Sequence, residues 1–229
     1  MLHFVTSAIK KIKSHGGTGH ELCNVKKIAF RTIQKGVIMS KIKAYFDGLC
    51  EPNPSGVATW GIVVFENDNI IYKDCGIACE PYTQQSTNNF AEYTGLINVI
   101  RYCLDNGLLD IEVIGDSQLA IRQMTGVYSV NSPNIIPLYN EAIKLSQNFN
   151  NITFTWVRRE LNTVADSMSK EAYFKYISKN DIVMQFGKYK GKSISYIAQK
   201  NPNYIQWLLN ESNIRPDFKD AIKVVLQKT

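Results

Sequence analysis

In the segment Lys41-Ile-Lys-Ala-Tyr-Phe-Asp-Gly48, apolar residues alternate with residues that carry a polar group, and the segment ends in an aspartate followed by glycine. Ile42, Ala44 and Phe46 fall on one face of an extended chain, because successive strand residues point to opposite faces of a sheet. The pattern predicts a β-strand with one buried face. Asp47 then lies at the end of that strand, where a carboxylate is poorly placed for packing and well placed for a site.

The elements that follow predict a mixed sheet covered by helices. Residues 59–65 and 70–77 form two further strand patterns, and the polar residues between them indicate a hairpin. Helical spacing begins at Asn88-Asn89, and Gly107 occupies the place of a C-terminal cap. Short strands then alternate with helices, at 111–114, 117–124, 134–148, 152–157 and 162–177. The order predicts an α/β fold with a five-stranded mixed sheet flanked by helices.

Charge divides the 229 residues into three parts. Residues 1–38 hold seven Lys or Arg and one acid, residues 39–178 hold ten and fifteen, and residues 179–229 hold nine and four. We predict a basic N-terminal arm over 1–38, which is flexible, an organelle-type presequence or sequence upstream of the native start. A catalytic domain is predicted over 39–178. A small basic α+β module, suited to nucleic acid, is predicted over 179–229.

The composition is that of a soluble globular protein, with 45% hydrophobic and 20% charged residues. No apolar run approaches the roughly 18–20 residues needed to cross a bilayer, and no stretch has the apolar centre of a secretory signal. We therefore expect a cytoplasmic protein with no membrane partner. The five cysteines lack the spacing of a zinc site and are expected to be free thiols.

Four acids fall at the ends of strands or near the starts of helices. Asp47 and Asp116 end strands, Glu92 is expected in the first turn of a helix, and Asp166 lies near the start of the last one. Carboxylates gathered at one sheet edge would repel each other unless cations neutralised them. Oxygen ligands without Cys or His select hard ions, Mg²⁺ or Mn²⁺. Two such ions can activate a water and stabilise the leaving oxygen of a phosphodiester.

Four segments carrying these acids resemble, in order, the four motifs of type 1 ribonuclease H. They are Tyr45-Phe-Asp-Gly48, Thr87-Asn-Asn-Phe-Ala-Glu92, Gly115-Asp-Ser-Gln118 and Asn162-Thr-Val-Ala-Asp166. The resemblance covers about 140 residues and implies endonucleolytic hydrolysis of the RNA strand of RNA/DNA hybrids, leaving 5′-phosphate and 3′-hydroxyl ends. It implies that the four acids hold two Mg²⁺ ions, for which Mn²⁺ substitutes, with Asp47 bridging both. It also implies that Glu92 contacts the RNA 2′-hydroxyl.

The same resemblance implies a set of residues that bind the hybrid. Asn53, Asn88, Asn89 and Gln118 match positions that hydrogen-bond its backbone and minor groove. Simpler alternatives stay open, since either Asn88 or Asn89 could be the helix N-cap and Gln118 could be solvent-exposed. We expect Trp60 and Trp156 to be core residues.

The sequence departs from the family pattern after the last strand. Many relatives carry a flexible His there, whereas this chain has no His beyond His20 and places Glu160 at that position, as archaeal-type members do. Glu160 is therefore a candidate catalytic residue, with slower turnover as the alternative. The basic helical protrusion of some relatives also has no counterpart, because residues 126–140 contain no Lys or Arg.

The C-terminal segment offers a second nucleic-acid contact. If residues 187–192 are extended, Lys188, Lys190 and Lys192 share one face and form a phosphate-binding edge. Residues 186–192 with 204–209 resemble the C-terminal module of exodeoxyribonuclease X-like proteins. The alternative is an exposed Lys-rich turn that aids solubility.

Other functions remain open at this point. Some relatives that lack the His also cut RNA/RNA duplexes, so double-stranded RNA is a second candidate substrate. A catalytically weak nucleic-acid-binding protein on a ribonuclease H-like fold, or a DNA-cutting integrase-like nuclease, would use the same superfold. We expect a monomer.

Overall fold

Five strands form the sheet that positions the site, in a computed structural model that describes residues 42–228. They are β1 (Ile42–Glu51), β2 (Val57–Glu66), β3 (Asn69–Ile77), β4 (Asp110–Gly115) and β5 (Asn151–Trp156). Their order across the sheet is β3-β2-β1-β4-β5. β1, β2 and β3 pair antiparallel, whereas β4 pairs parallel with β1 and with β5. The predicted mixed sheet is confirmed. The predicted arm over 1–38 lies outside the described residues.

The hairpin between β2 and β3 has the predicted turn chemistry. Asn67 and Asp68 are its two central residues, and both have positive φ angles, 49° and 67°. Two-residue hairpins favour such turns because their twist matches that of the strands. This short connection fixes the register of the outer strand.

Helices cover the sheet and form the C-terminal part of the chain. They are α1 (Asn88–Asp105), α2 (Gln118–Met124), α3 (Ile136–Ser146), α4 (Thr163–Ile177), α5 (Ile194–Lys200), α6 (Pro202–Asn210) and α7 (Pro216–Leu226). The N-cap of α1 is Thr87, whose hydroxyl accepts a hydrogen bond from Phe90 N at 3.3 Å, so neither Asn88 nor Asn89 has that role. Gly107 follows α1 with a φ of +68°, as predicted. The pattern of residues 187–200 did not predict α5.

The two faces of the sheet carry different helices. Phe46 and Ile62 pack with α1, α2 and α3 in the larger hydrophobic core. Thr59 lies on the opposite face, where its hydroxyl donates a hydrogen bond to Ser169 O of α4 at 2.8 Å. The alternation predicted for these strands therefore places one helix layer on each side.

A second hydrophobic core joins the C-terminal helices to the end of β1 and to α4. Leu49, Val57, Tyr173 and Ile177 are buried there together with residues from α5, α6 and α7. These helices therefore bury apolar surface of the preceding part of the chain. The free energy gained by this burial holds the C-terminal helices against β1 and α4.

The segment 187–192 is a turn and not an extended strand, so the prediction of a strand-like lysine edge is wrong. Lys190 N donates to Gly187 O at 3.2 Å, and Lys192 N donates to Tyr189 O at 3.0 Å. Gly187 and Gly191 have φ angles of +70° and +81°, which an extended strand does not contain. The β structure of residues 179–228 is a single bridge between Val183 and Ser193.

Other predictions concern tryptophans, thiols and membrane spans. Trp60 packs against the larger core, as predicted. The prediction for Trp156 is wrong, because its side chain is 43% exposed and its Nε1 donates to Asp116 O at 3.0 Å. The cysteines at 50, 75, 79 and 103 are free thiols. Within residues 42–228, no helix is long and apolar enough to span a membrane.

Candidate active site

Asp47 and Asp116 are neighbours at one edge of the sheet because β1 and β4 run parallel. The paired positions run from Ile42 with Ile111 to Phe46 with Gly115, so the two aspartates are the next residues on each strand. Adjacent strands lie about 4.8 Å apart. The prediction that Asp47 ends its strand is wrong, because β1 continues to Glu51 and Asp47 pairs with Gly61 within the sheet. Asp116 directly follows β4, as predicted.

Glu92 reaches the same edge because Gly48 lets α1 approach the sheet. A Cβ at Gly48 would lie 2.2 Å from Glu92 N, which is too short for any residue with a side chain. The glycine that follows Asp47 therefore brings the backbone of α1 against β1. Glu92 is the fifth residue of α1 and so begins its second turn, one turn later than expected.

The three carboxylates line one cavity of about 310 Å³. Asp47 is only 6% exposed, whereas Glu92 and Asp116 are half-buried. Asn53, Asn88 and Asn89 lie along the same cavity.

Burial and mutual repulsion set the protonation of these acids. Burial, opposed by a hydrogen bond from Ser169 and aided by the charges of Asp116 and Asp166, raises the pKa of Asp47 to about 7. Burial likewise raises the pKa of Glu92 to about 8, with Asp47 and Asp116 adding to the rise. Such carboxylates share negative charge in a confined space, which a bound cation would relieve.

Asp166 is engaged differently from the other three. Its carboxylate accepts from Arg159 Nη2 at 2.6 Å and lies 3.0 Å from Lys170 Nζ. Burial alone would raise the pKa of Asp166, but these two cations hold it below its usual value. Its charge is felt by Asp47, yet Asp166 does not line the cavity. Its predicted role as a metal ligand stays a prediction.

Hydroxyl and amide donors that the predictions did not assign hold the other acids. Ser169 of α4 donates to Asp47, and Ser117 donates to Glu92. Asn162, which is buried, donates to Asp116 Oδ1 at 2.6 Å and to Phe46 O at 2.9 Å. Ser117 and Asn162 lie within the motifs quoted above, but Ser169 lies outside them and no local pattern indicates it.

The predicted substrate-binding residues separate into two groups. Asn53 and Asn88 contact each other at the cavity, where Asn53 Oδ1 accepts from Asn88 N at 3.1 Å. Asn88 Nδ2 also donates to Glu92 Oε1 at 2.9 Å. Gln118 is exposed at the start of α2 and does not line the cavity, which agrees with the simpler alternative for it.

Glu160 is also exposed and does not line the cavity. It lies in the short 3₁₀ turn Arg159–Leu161, and the neighbouring Arg159 lines the cavity in its place. The three lysines at 188, 190 and 192 are exposed as well, and Lys188 and Lys192 lie over the rings of Tyr189 and Tyr196. None of these lysines lines the cavity.

The donor chemistry of the cavity suits a hard divalent cation. Its acids offer only carboxylate oxygens, the ligands that Mg²⁺ and Mn²⁺ prefer. The charges of Asp47, Glu92 and Asp116 act on one another, as the raised pKa values of Asp47 and Glu92 record. In the described part of the chain, however, no three His, Cys, Asp or Glu side chains are grouped tightly enough to hold one ion.

Comparison with known proteins finds two similar families. The reverse transcriptase-like family matches residues 45–172, and the exodeoxyribonuclease X-like C-terminal family matches residues 184–213. The first match covers the sheet, α1 to α3, most of α4 and all four acids. The second covers α5, α6 and the turn that precedes α5.

Individual relatives match the same part of the chain. The ribonuclease HI of Halobacterium salinarum is 36% identical over 132 residues, which are 58% of this chain and 64% of that protein. A bifunctional protein of Mycobacterium tuberculosis is 33% identical over 58% of this chain and 35% of its own length. The matched region therefore spans less than two thirds of either relative.

A solved structure extends the similarity to the fold. The crystal structure of LC11-RNase H1 in complex with an RNA/DNA hybrid has a TM-score of 0.54 and 31% identity. The match covers 60% of this chain and 99% of that one.

Proposed function

Since this chain belongs to the reverse transcriptase-like family, we propose that it is a ribonuclease H that hydrolyses the RNA strand of RNA/DNA hybrids. The observation that carries the proposal is the cavity at the sheet edge, where Asp47, Glu92 and Asp116 converge from three elements. The similarity to a ribonuclease H1 solved with an RNA/DNA hybrid supports the choice of substrate.

Asp47, Glu92 and Asp116 would hold the divalent ions, and Asp166 is proposed to complete the set. When bound, such ions would activate a water and stabilise the leaving oxygen, and the products would carry a 5′-phosphate and a 3′-hydroxyl. Mg²⁺ is the proposed ion and Mn²⁺ its substitute. Without cations, the crowded carboxylates would repel a polyanionic substrate.

The polar residues along the cavity are proposed to recognise the RNA strand. Asn53, Asn88 and Asn89 present amide groups, which both donate and accept hydrogen bonds. A ribose 2′-hydroxyl also donates and accepts, and it is the group that distinguishes RNA from DNA. Contact with these amides and with Glu92 would position the RNA strand over the acids.

The experiment is cleavage of end-labelled RNA/DNA, RNA/RNA and DNA/DNA duplexes with Mg²⁺, Mn²⁺ or EDTA. The test variant is Asp116→Asn, which keeps the size of the side chain and removes its charge. The matched control is Asp110→Asn, at the other end of β4, about 20 Å along the strand. We expect metal-dependent cutting of the RNA strand that Asp116→Asn abolishes and Asp110→Asn preserves.

The other lanes separate the alternatives. Cutting of the RNA/RNA duplex would add double-stranded RNA to the substrates. Binding of duplexes without cutting in any lane would refute the enzyme and favour a binding protein on the same fold. Equal cutting by Asp116→Asn and the wild type would refute the proposed acids.

A further inference from the structure

Arg215 brings a positive charge from the C-terminal part of the chain into the candidate active site. It directly precedes α7, and its side chain lines the same cavity as Asp47, Glu92 and Asp116. The family match that covers those acids ends at residue 172, so Arg215 lies outside it. Arg215 also lies beyond the match to the exodeoxyribonuclease X-like module, which ends at residue 213.

Two carboxylates hold the Arg215 guanidinium in place. Its Nε lies 3.1 Å from Glu51 Oε2, and its Nη2 lies 3.3 Å from Asp217 Oδ2. Glu51 is at the end of β1 and its side chain is only 5% exposed, so this anchor is rigid. A guanidinium has five N–H donors in a planar fork. The contact with Glu51 is an ion pair without a hydrogen bond, and the one to Asp217 uses a single donor. The remaining donors are available to a ligand.

The exposure of Arg215 distinguishes it from a purely structural partner of Glu51. Its side chain remains 41% exposed, and Arg215 lines the cavity. Arg159 is the other arginine at this cavity, but it is bound to Asp166 at 2.6 Å. Arg215 is therefore well placed to offset the negative charge that the cavity acids present to a polyanion.

We propose that Arg215 binds a backbone phosphate of the nucleic acid in this cavity, so that the C-terminal helices contribute directly to the active site. The inference rests on the proposed ribonuclease function. A planar guanidinium matches the oxygens of a phosphate in two-point contact, which a lysine cannot reproduce. Because α7 packs into the core shared with Leu49 and Val57, the guanidinium is held in position before substrate arrives.

The contact with Glu51 demands a test that separates binding from structure. Arg215→Gln removes the proposed phosphate contact but also leaves a buried carboxylate without its cation, which is destabilising. The double variant Glu51→Gln/Arg215→Gln removes both charges and so removes that second effect. Arg215→Lys keeps the charge and loses the planar fork. Arg101→Gln is the matched control, because Arg101 is paired with Glu141 on α3 and lies about 18 Å along α1 from Asn89.

The measurement is the affinity of the full chain for an RNA/DNA hybrid, by fluorescence anisotropy in EDTA at several salt concentrations. We expect Arg215→Gln and the double variant to bind about tenfold more weakly, with the salt slope reduced by about one. Arg215→Lys should keep the wild-type slope with a weaker affinity. Arg101→Gln should match the wild type in both.

The outcomes distinguish this inference from the function on which it rests. Recovery of wild-type affinity and slope in the double variant would overturn it, because Arg215 would then act only as the partner of Glu51. Wild-type binding by Arg215→Gln would overturn it as well, while metal-dependent cleavage by the wild type left the proposed function standing. Failure of the wild type to cut the hybrid in the presence of Mg²⁺ would overturn both.

Discussion

The substitution Glu51→Gln should stabilise the folded chain in a strongly pH-dependent way. Glu51 is buried at the end of β1, and it faces Arg215, Asp217, Tyr173 and Cys50. Burial raises its pKa from 4.5 to about 7, although Arg215 favours the charged form. The folded chain therefore binds this proton more tightly than the unfolded chain does.

The sign and size of the effect follow from that difference. The stability linked to the proton is fully present below about pH 4.5 and is lost as the pH rises through about 7, where the buried carboxylate ionises. The rise in pKa corresponds to about 3 kcal/mol, at about 1.4 kcal/mol for each tenfold change in proton affinity. Glutamine resembles the protonated acid in shape and never ionises. Its advantage should therefore be near zero in acid and about 3 kcal/mol above about pH 8.

The assay is urea unfolding of the wild type and Glu51→Gln at about pH 4.5, 6 and 8, with exposed Glu171→Gln of α4 as the matched control. The free energy of unfolding should separate the two proteins progressively as the pH rises, and the control should follow the wild type. An equal difference between Glu51→Gln and the wild type at all three pH values would refute the reasoning. Destabilisation by Glu51→Gln at about pH 8 would show that the ion pair with Arg215 outweighs the cost of burial.

Three further changes test how the site is held. Gly61→Ala should lower the free energy of unfolding by about 1–3 kcal/mol and reduce cleavage. The new Cβ would lie 2.3 Å from Ser169 N and 2.5 Å from Ala165 O on α4. Wild-type values in urea unfolding and in cleavage would contradict this close approach. Ser169→Ala removes the hydroxyl that donates to Asp47. The Mg²⁺ concentration that gives half-maximal cleavage should rise several-fold. An unchanged Mg²⁺ titration would show that this hydrogen bond does not position Asp47 for the ion. Replacing the three lysines of the 187–192 turn by Gln should reduce the salt slope of hybrid binding by about two to three, and an unaltered slope would leave them a solubility role.

The fold follows from the sequence where local pattern decides it. Alternation over 42–47, the Asn67-Asp68 turn and the glycine after α1 predict their elements correctly, because each depends on neighbours along the chain. Failures occur where tertiary contacts or glycines intervene. Gly187 and Gly191, which have positive φ angles, turn the 187–192 segment back on itself. The helix that follows this turn, α5, was not predicted. The N-cap of α1 is Thr87 and neither of the two asparagines considered for it. The side chain of Asn88 instead donates to Glu92.

The candidate site was predictable in part from the pattern of the strands. Asp116 directly follows β4, and the parallel pairing of β4 with β1 sets Asp47 next to it, although β1 continues to Glu51. The state of Asp166 depends on two cations. Its contact with Lys170, four residues later on the same helix, follows from helical spacing, whereas its contact with Arg159 does not. Arg215 reaches the cavity through contacts with residues far away in sequence. Such contacts come from packing, which no periodicity records.

The core shared by the C-terminal helices and the rest of the chain has an evolutionary consequence. Leu49, Val57, Tyr173 and Ile177 are buried in one core with residues of those helices. If α5 to α7 were replaced by the corresponding helices of a relative, the two apolar surfaces would no longer match in shape. Part of the apolar surface would then be exposed to solvent. The two parts must therefore be inherited and altered together, and substitutions at the end of β1 should track those in α5 to α7 across descendants of this gene.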